Sequence, residues 1–549
     1  MPFPSLPSTF QRAMRWWIAL RWRLSRSVFS VPLPLLTVEF GVKLGDLIVL
    51  IPAISYLVTA TALRAKDHDI KGSGAAPSIT MMLVFLFAIR NNSVLLVATG
   101  IPFERVLFYH KLFAFVTIIL TALHGLAYLL EKADSGDSDD LHHDQMVSGM
   151  VAFTGMVVMY MLSLNVIRRR FFEVFIRLHW VLFIVVVIFT VIHGASLVLV
   201  GLIPWVIDTF FRVGYRLYIH ANGSLFKKKR AQNAQNPSES HHKPRRGVIA
   251  RDQFTICAMP GNITRISFPR VRYDTGESFK YEAGQYVFIC VPKISLLGWH
   301  PFTISSSPHE VLVTIHIKAL GDWTKKLLAA VPLTSDGSHH VVPAPFPILV
   351  DGPYGSVSID IENQTAYSHV ALFSGGIGIT PMQAIANQLF FDFHHRGRQA
   401  LKKVHFVWAV RERSMVEAMM NAEFAEDRKL LQGHTPAYLP DDLLSVDPNG
   451  GSTSPDDVFK AEFYLTRGQP DPENPIDRHL QHCMRYNTRP DVADVLKSLG
   501  QDAQKHGKKR VAVLVCGPSA LVRDVINQAM KLERTSKIKY DVHTECFDF

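Results

Sequence analysis

Apolar residues concentrate in the first two-fifths of the chain. Six stretches there are apolar over about twenty residues: 44–63, 76–92, 108–130, 146–167, 174–195 and 198–215. Because a helix of ~20 apolar residues crosses the hydrocarbon core of a bilayer, the pattern predicts a six-span helical bundle within residues 44–220. Residues 1–43 alternate Arg with Trp and Leu in places, which predicts an interfacial segment lying on the membrane.

The pattern changes after a polar segment at 221–246, which we interpret as a linker. Short alternating runs over 247–355 predict the strands of an antiparallel β-barrel. Over 366–549, buried runs such as HVALFS and RVAVLVCG alternate with helical segments, the pattern of a doubly wound α/β nucleotide-binding domain. The predicted fold is therefore multi-domain: a helical bundle, a β-barrel and an α/β domain.

Two of the apolar stretches carry histidine pairs with the same spacing. His110 and His124 are fourteen positions apart, and so are His179 and His193. Fourteen residues of α-helix make almost four turns, so each pair shares one face, ~21 Å apart. If the helices are parallel neighbours, His110 opposes His179 and His124 opposes His193. Each level then has two imidazoles, the axial ligands of a b-type haem. One such histidine could be a packed polar residue, but the repeated spacing favours two haems.

The charge distribution favours a membrane rather than a nucleic acid as partner. The chain has 58 Lys and Arg against 47 Asp and Glu, and the basic residues cluster beside the spans, as expected next to anionic lipid. No nucleic-acid-binding motif accompanies them. Arg168–Arg170 stand between the fourth and fifth spans, while an acidic loop joins the third and fourth. The positive-inside rule therefore predicts cytosolic N- and C-termini. The five cysteines form no CxxC motif, which argues against a disulfide framework.

Three motifs in the predicted barrel resemble the flavin site of the ferredoxin–NADP reductase superfamily: AGQYVFI, HPFTISSSP and GDWT. Any one alone could be a strand end beside a turn. Together they imply a FAD site, with Lys318 placed to offset the pyrophosphate charge. The residues assigned to FAD are His300, Pro301, Phe302, Thr303, His316, Ile317, Lys318, Gly321, Asp322, Trp323 and Thr324.

A glycine-rich loop, GGIGITPM, follows a predicted strand and opens a helix. In this context the glycines let the backbone approach a phosphate, and the helix N-terminus faces the anion. Arg467 and Arg489 are candidates for a 2′-phosphate, although either could equally form a surface ion pair. The other residues assigned to NADP are Gly375, Gly376, Gly378, Thr380, Pro381, Cys516, Gly517 and Pro518.

Six spans with paired histidines, joined to these motifs, resemble the ferric reductase / NADPH oxidase superfamily over residues 44–549. The resemblance implies NADPH, FAD and two haem b as cofactors. It implies electron transfer from NADPH through FAD to the inner haem (His110/His179) and then the outer haem (His124/His193). Phe549 at the C-terminus would stack on the flavin, unless it is a frayed tail.

Two branches of that superfamily differ in their final acceptor. The fourteen-residue spacing of His179 and His193, with WAVRE and HPFTISSSP, resembles plant-type ferric-chelate reductases, whereas oxidases usually show thirteen. The motif GDWT, however, resembles the oxidases as closely as it resembles the reductases. We therefore expect a reductase of external ferric or cupric chelates in the plasma membrane rather than in a vacuolar or other internal membrane. A superoxide-generating oxidase that reduces O2 and a non-enzymatic haem-binding scaffold are alternatives, and the sequence identifies no protein partner.

Overall fold

The computed structural model describes residues 42–88, 103–135, 143–225, 248–249, 253–272, 275–332, 341–355, 365–420 and 458–545, with single positions elsewhere. The chain forms two compact units, Met1–Tyr215 and Arg216–Phe549. Phe549, most of the N-terminal segment and most of the predicted linker lie outside the described residues.

The first unit is helical. Its helices are α1 (Leu44–Lys66), α2 (Ile70–Ser73), α3 (Ala75–Leu86), α4 (Phe103–Ser135), α5 (His143–Ser163), α6 (Asn165–Arg170), α7 (Phe172–Ile192) and the start of α8 (Leu197–Asn222). Among the described residues, α1, α4, α5, α7 and α8 are long and apolar enough to cross a membrane. Only 11–28% of each of these spans is buried, so most of their apolar side chains face outward, as lipid contact requires.

The six-span prediction is not confirmed in full. The predicted second span, 76–92, corresponds to α2 and α3, an apolar segment that ends at Leu86 and is shorter than the five others. Residues 89–102 lie outside the described part of the chain. The predicted sixth span, 198–215, also differs, because α8 continues to Asn222 as part of the second unit.

The second unit begins with an antiparallel barrel region. Its strands are β1 (Ser224–Leu225), β2 (Val248–Ile249), β3 (Thr255–Met259), β4 (Ile263–Pro269), β5 (Tyr286–Cys290), β6 (His300–Thr303), β7 (Leu312–Lys318), β8 (Val342–Pro343) and β9 (Leu349–Tyr354), with helix α9 (Asp322–Ala329). The sheets have the orders β7-β4-β3-β8 and β6-β5-β9, and β1 pairs with β2. Alternating apolar side chains such as Val287, Ile289 and Ile315 fill one shared core.

The rest of the second unit is a parallel α/β domain. Its elements are β10 (His369–Gly375), α10 (Ile379–His395), β11 (Lys403–Val410), α11 (Arg413–Met420), β12 (Phe459–Leu465), α12 (Pro475–His479), β13 (Met484–Tyr486), α13 (Val492–Lys505), β14 (Arg510–Cys516), α14 (Ser519–Thr535) and β15 (Lys539–Glu545). The sheet order is β13-β12-β11-β10-β14-β15. The order reverses beside β10, so its carboxyl end is the point where doubly wound sheets bind ligands. The predicted fold class is therefore confirmed, but the described residues contain five helices long enough to cross a membrane instead of six.

Candidate functional sites

The structure brings together His124 of α4 and His193, which directly follows α7. Their ring centroids are 5.8 Å apart and the ring planes are inclined by 79°. Two imidazoles that bind one metal ion from opposite sides, each at about 2.0–2.1 Å, would have ring centres roughly 6 Å apart. The predicted outer pair therefore has the spacing that a shared iron requires.

Hydrogen bonds orient both rings of this outer pair. Nδ1 of His193 lies 2.7 Å from the carbonyl oxygen of Gln145, and Nδ1 of His124 lies 2.9 Å from Oγ of Ser73. A carbonyl oxygen only accepts, so Nδ1 of His193 carries the hydrogen and Nε2 keeps its lone pair. That is the tautomer in which imidazole binds a metal.

The predicted inner pair shows the same arrangement at one of its rings. Nδ1 of His110 lies 3.0 Å from the carbonyl oxygen of Val84 in α3, which again leaves Nε2 as the free acceptor. His179 lies close enough to His110 for the two side chains to interact electrostatically. Its Nδ1 is buried without a hydrogen-bond partner among the described residues. The four histidines therefore fit the axial donor set of two haems.

Gly149 of α5 leaves room for the outer histidine. A Cβ at this position would lie 2.8 Å from Cε1 and 2.9 Å from Nδ1 of His193, closer than real side chains approach. The hydrogen bond from Nδ1 to Gln145 prevents the ring from moving away freely. Gly125 offers a matched comparison, because a Cβ there would meet nothing within 4 Å.

We therefore expect Gly149→Ala to displace the His193 imidazole and to lower the haem content toward that of His193→Ala, about half of the parent. Gly125→Ala, next to His124 in sequence, should keep the parent haem content. Pyridine haemochrome titration against protein concentration measures both. Equal haem in the two variants would contradict the placement of His193 as a ligand.

The predicted flavin residues converge around Trp323 in the first turn of α9. Its ring lies 4.4 Å from that of His300 and 5.8 Å from that of Phe302, both on β6. The indole Nε1 is buried and has no hydrogen-bond partner among the described residues. A buried donor without a partner is costly, so this N–H suits an acceptor atom supplied by a ligand.

His316, at the end of β7, provides a second unsatisfied group. Burial lowers its pKa to about 3, so the ring is neutral. Ser305 donates its hydroxyl hydrogen to the carbonyl of Thr314, so its oxygen accepts the Nδ1 hydrogen of His316 at 2.7 Å. Nε2 is then an acceptor, and it has no partner within the described residues. With Trp323, one buried donor and one buried acceptor fit a polar cofactor such as FAD.

The GDWT turn forms the N-terminus of α9. The Thr324 hydroxyl accepts the backbone N–H groups of Leu320 and Gly321, each at 3.0 Å. Thr324 therefore caps the helix and holds the turn in shape. Nζ of Lys318 lies 3.9 Å from the Glu412 carboxylate, so this lysine has an acidic neighbour in the α/β domain.

Arg216 near the end of α8 was not singled out from the sequence. Its guanidinium forms an ion pair with buried Asp351 at 3.1 Å. It also lies 4.9 Å from the ring centres of both Phe288 and Trp299. Tyr354 donates a hydrogen bond of 2.6 Å to the same carboxylate. This cluster attaches the end of α8 to the barrel and gives the segment 351–355, at the end of β9, a structural role.

The predicted nucleotide loops pack directly against each other at the carboxyl ends of β10 and β14. A Cβ on Gly375 would lie 2.5 Å from Cδ of Pro518, and one on Gly517 would lie 2.8 Å from the backbone nitrogen of Gly375. A Cβ on Gly378 would meet the carbonyl group of Cys516. Glycine is therefore required on both loops so that their backbones can approach.

Trp408 on β11 holds the glycine-rich loop through a hydrogen bond. Its buried indole Nε1 donates to the carbonyl oxygen of Gly376 at 2.9 Å. Thr380 and Pro381 lie in the first turn of α10 and are buried. The sequence around Trp408 carries only a family resemblance, because a contact between β11 and the glycine-rich loop depends on tertiary packing.

Arg467 and Arg489 lie at the same edge of the parallel sheet. Arg467 follows β12 and Arg489 follows β13, and these two strands are paired neighbours with Leu465 opposite Tyr486. Both arginine side chains are exposed. Since nucleotides bind at the carboxyl ends of the strands, this position is compatible with contact to an adenosine phosphate.

Glu310 connects the barrel to the α/β domain. Its carboxylate accepts the Ser307 backbone N–H at 2.7 Å and the Asn387 side-chain amide at 3.2 Å. Ser307 also donates to Gln388 on α10. Burial raises the pKa of Glu310 to about 7. These bonds position the flavin motifs and the glycine loop within one unit.

Three known protein families each match a part of this chain. They are the ferric reductase-like transmembrane component at residues 73–190, the FAD-binding domain at 248–358 and the ferric reductase NAD-binding domain at 367–530. The chain therefore belongs to the ferric reductase / NADPH oxidase superfamily, and the resemblance found in the sequence is confirmed.

Relatives from both branches are similar to the chain. Ferric reduction oxidase 7, chloroplastic, of Arabidopsis thaliana is 30% identical in an alignment that covers 60% of this chain and 42% of that protein. NADPH oxidase 1 of Mus musculus is 27% identical in an alignment that covers 81% of this chain and 80% of that protein. Respiratory burst oxidase homolog protein D of Arabidopsis thaliana is 24% identical in an alignment that covers 87% of this chain and 55% of that protein. The chain thus spans about half the length of the two plant relatives.

Proposed function

We propose that this protein transfers electrons from cytosolic NADPH across a membrane, with FAD and two b-type haems as cofactors, and reduces ferric or cupric chelates on the opposite face. When bound, the flavin accepts hydride from the nicotinamide and the haems carry single electrons. The observation that carries the proposal is the repeated histidine spacing, supported by the 5.8 Å separation of the His124 and His193 rings. The plasma membrane and cytosolic termini are part of the proposal.

The protein's own residues hold and orient these cofactors. His110 and His193 present Nε2 because backbone carbonyl groups engage their Nδ1 atoms. Trp323 offers a buried N–H donor, and His316 offers a buried acceptor. The close approach of the two nucleotide loops at Gly378 leaves backbone N–H groups at the start of α10 to face phosphate.

A ferric or cupric chelate is favoured as acceptor by the fourteen-residue spacing of His179 and His193 and by the similarity to ferric reduction oxidase 7. A specific observation favours the alternative, a superoxide-generating oxidase. The match to NADPH oxidase 1 covers 81% of this chain, against 60% for ferric reduction oxidase 7.

A paired assay on the purified full-length protein separates the two acceptors. With NADPH and ferric citrate, we expect Fe²⁺ formation, followed with a ferrous chelator, that superoxide dismutase does not reduce. Superoxide, followed by dismutase-sensitive cytochrome c reduction, should be slower. Iron reduction abolished by superoxide dismutase would show that O2 is the direct acceptor and would contradict a chelate reductase.

We propose NADPH rather than NADH as donor because Arg467 and Arg489 lie at one sheet edge. Changing both to Ala should raise the KM for NADPH about ten- to hundredfold, since a charge-assisted hydrogen bond contributes roughly 1.5–3 kcal/mol. The KM for NADH should not change. Arg534→Ala, which removes an exposed arginine from the last turn of α14, is the control. Equal effects on both nucleotides would contradict the assignment.

A further inference from the structure

Three potential metal ligands meet at the end of the α/β domain opposite the glycine loop. His369 is the first residue of β10, and Asp502 and His506 lie at the carboxyl end of α13. One donor atom from each lies within 4.8 Å of the others. Neither the haem assignment nor the nucleotide motifs use any of these residues.

Hydrogen bonds hold the three side chains together. Nε2 of His369 lies 3.0 Å from Oδ2 of Asp502, and Nδ1 of His506 lies 2.9 Å from the carbonyl oxygen of Asp502 and 3.7 Å from its Oδ2. Ligands placed tetrahedrally around Zn²⁺ at about 2.0–2.1 Å are roughly 3.3 Å from one another. The separations of 3.0 and 3.7 Å from Oδ2 lie on either side of that value. A bound ion would displace the hydrogens from Nε2 of His369 and Nδ1 of His506 and replace these two hydrogen bonds with metal bonds.

The surroundings of His369 also suit the binding of a metal ion by its imidazole. Its side chain is completely buried, and Nδ1 lies 2.9 Å from Oγ of Ser368, which can accept the Nδ1 hydrogen and leave Nε2 to the metal. His506 is 44% exposed, which provides a path for an ion and room for a water ligand. The two imidazole centroids are 5.5 Å apart.

We propose that His369, Asp502 and His506 bind a divalent cation of the Zn²⁺ class, with water in the fourth position. Two imidazoles and one carboxylate are ligands that Zn²⁺ accepts, and they would be selective against Mg²⁺ and Ca²⁺. The ion would tie the start of β10 to the end of α13. Because Gly375 is at the opposite end of β10, the site would not compete with the nucleotide.

Zinc is the appropriate probe because, unlike Cu²⁺, it cannot accept electrons from the cofactors. The full-length protein is treated with EDTA, dialysed against ZnCl₂, and analysed for zinc and for haem iron by mass spectrometry. We expect His506→Ala and the nearly isosteric Asp502→Asn each to bind one equivalent fewer than the parent. Because the zinc content of each variant is subtracted from that of the parent, other zinc sites on the chain do not affect the result.

His395→Ala is the matched control. His395 also ends a helix, α10, but the residue four positions earlier is Phe391 instead of an aspartate. This variant should keep the parent zinc content. Zinc should also raise the Tm of the parent and of His395→Ala, but not that of Asp502→Asn. The proposal is overturned if Asp502→Asn, with normal flavin content, keeps the zinc content of the parent. It is also overturned if His395→Ala loses as much as His506→Ala.

Discussion

Replacing His124 with alanine is expected to remove about half of the haem from the purified protein. His193 would lose the imidazole that lies 5.8 Å away, while the pair His110 and His179 would remain intact. Reduction of the external acceptor should fall to the rate without enzyme. NADPH oxidation by a soluble dye that takes electrons from the flavin should continue. Pyridine haemochrome titration and the two rate measurements check these expectations.

His68→Ala is the control for this experiment, because His68 is a histidine near the same helices that pairs with Glu131 instead. It should leave the haem content unchanged. An undiminished haem content in His124→Ala would contradict the assignment of four ligands to two haems. Equal loss in both variants would show that haem content reports damage to the bundle instead of loss of a ligand.

The two depths at which the paired histidines lie could be predicted from the sequence because helical geometry is local. Fourteen residues fix the axial distance between His110 and His124 once the segment is helical. The groups that set the tautomers could not be predicted in this way. They are backbone carbonyls of Val84 and Gln145, and every residue has a carbonyl, so tertiary packing alone selects these two.

The end of the last span differs from its prediction for a related reason. Hydropathy places the end of this span at residue 215, where the apolar run stops. The helix continues because Ile219 is completely buried against Cys290 and Leu349 of the barrel, and Arg216 pairs with Asp351. A membrane-length criterion does not include this packing, which joins residues about 135 positions apart.

Contiguous motifs predict the nucleotide site, but not the contacts between its two loops. GGIGITPM and the segment 516–518 could be recognised because each places glycine beside the end of a predicted strand. That Gly378 packs on Cys516 depends on β10 and β14 being neighbours in the sheet, with Ser374 opposite Cys516. The sequence predicts two separate loops, and the pairing of β10 with β14 places these loops side by side.

Gly378→Val is the other substitution from which we expect a large effect. The backbone of Gly378 has φ −62° and ψ −1°, a conformation open to any residue, so the effect is purely steric. The new Cβ would meet the carbonyl group of Cys516 and lie 3.0 Å from the amide nitrogen of Gly517. Both are backbone atoms at the end of a buried strand, so they cannot rotate away as a side chain could.

Forcing the two loops apart should cost roughly 1–3 kcal/mol and disturb the backbone N–H groups that face phosphate. We therefore expect the KM for NADPH to rise about ten- to hundredfold, since 1.4 kcal/mol is a factor of ten. Haem content and the haem spectrum after dithionite reduction should match the parent, because dithionite does not depend on the nucleotide site. Loss of dithionite-reducible haem would indicate global misfolding. An unchanged KM for NADPH would contradict the assignment of these loops to the nucleotide.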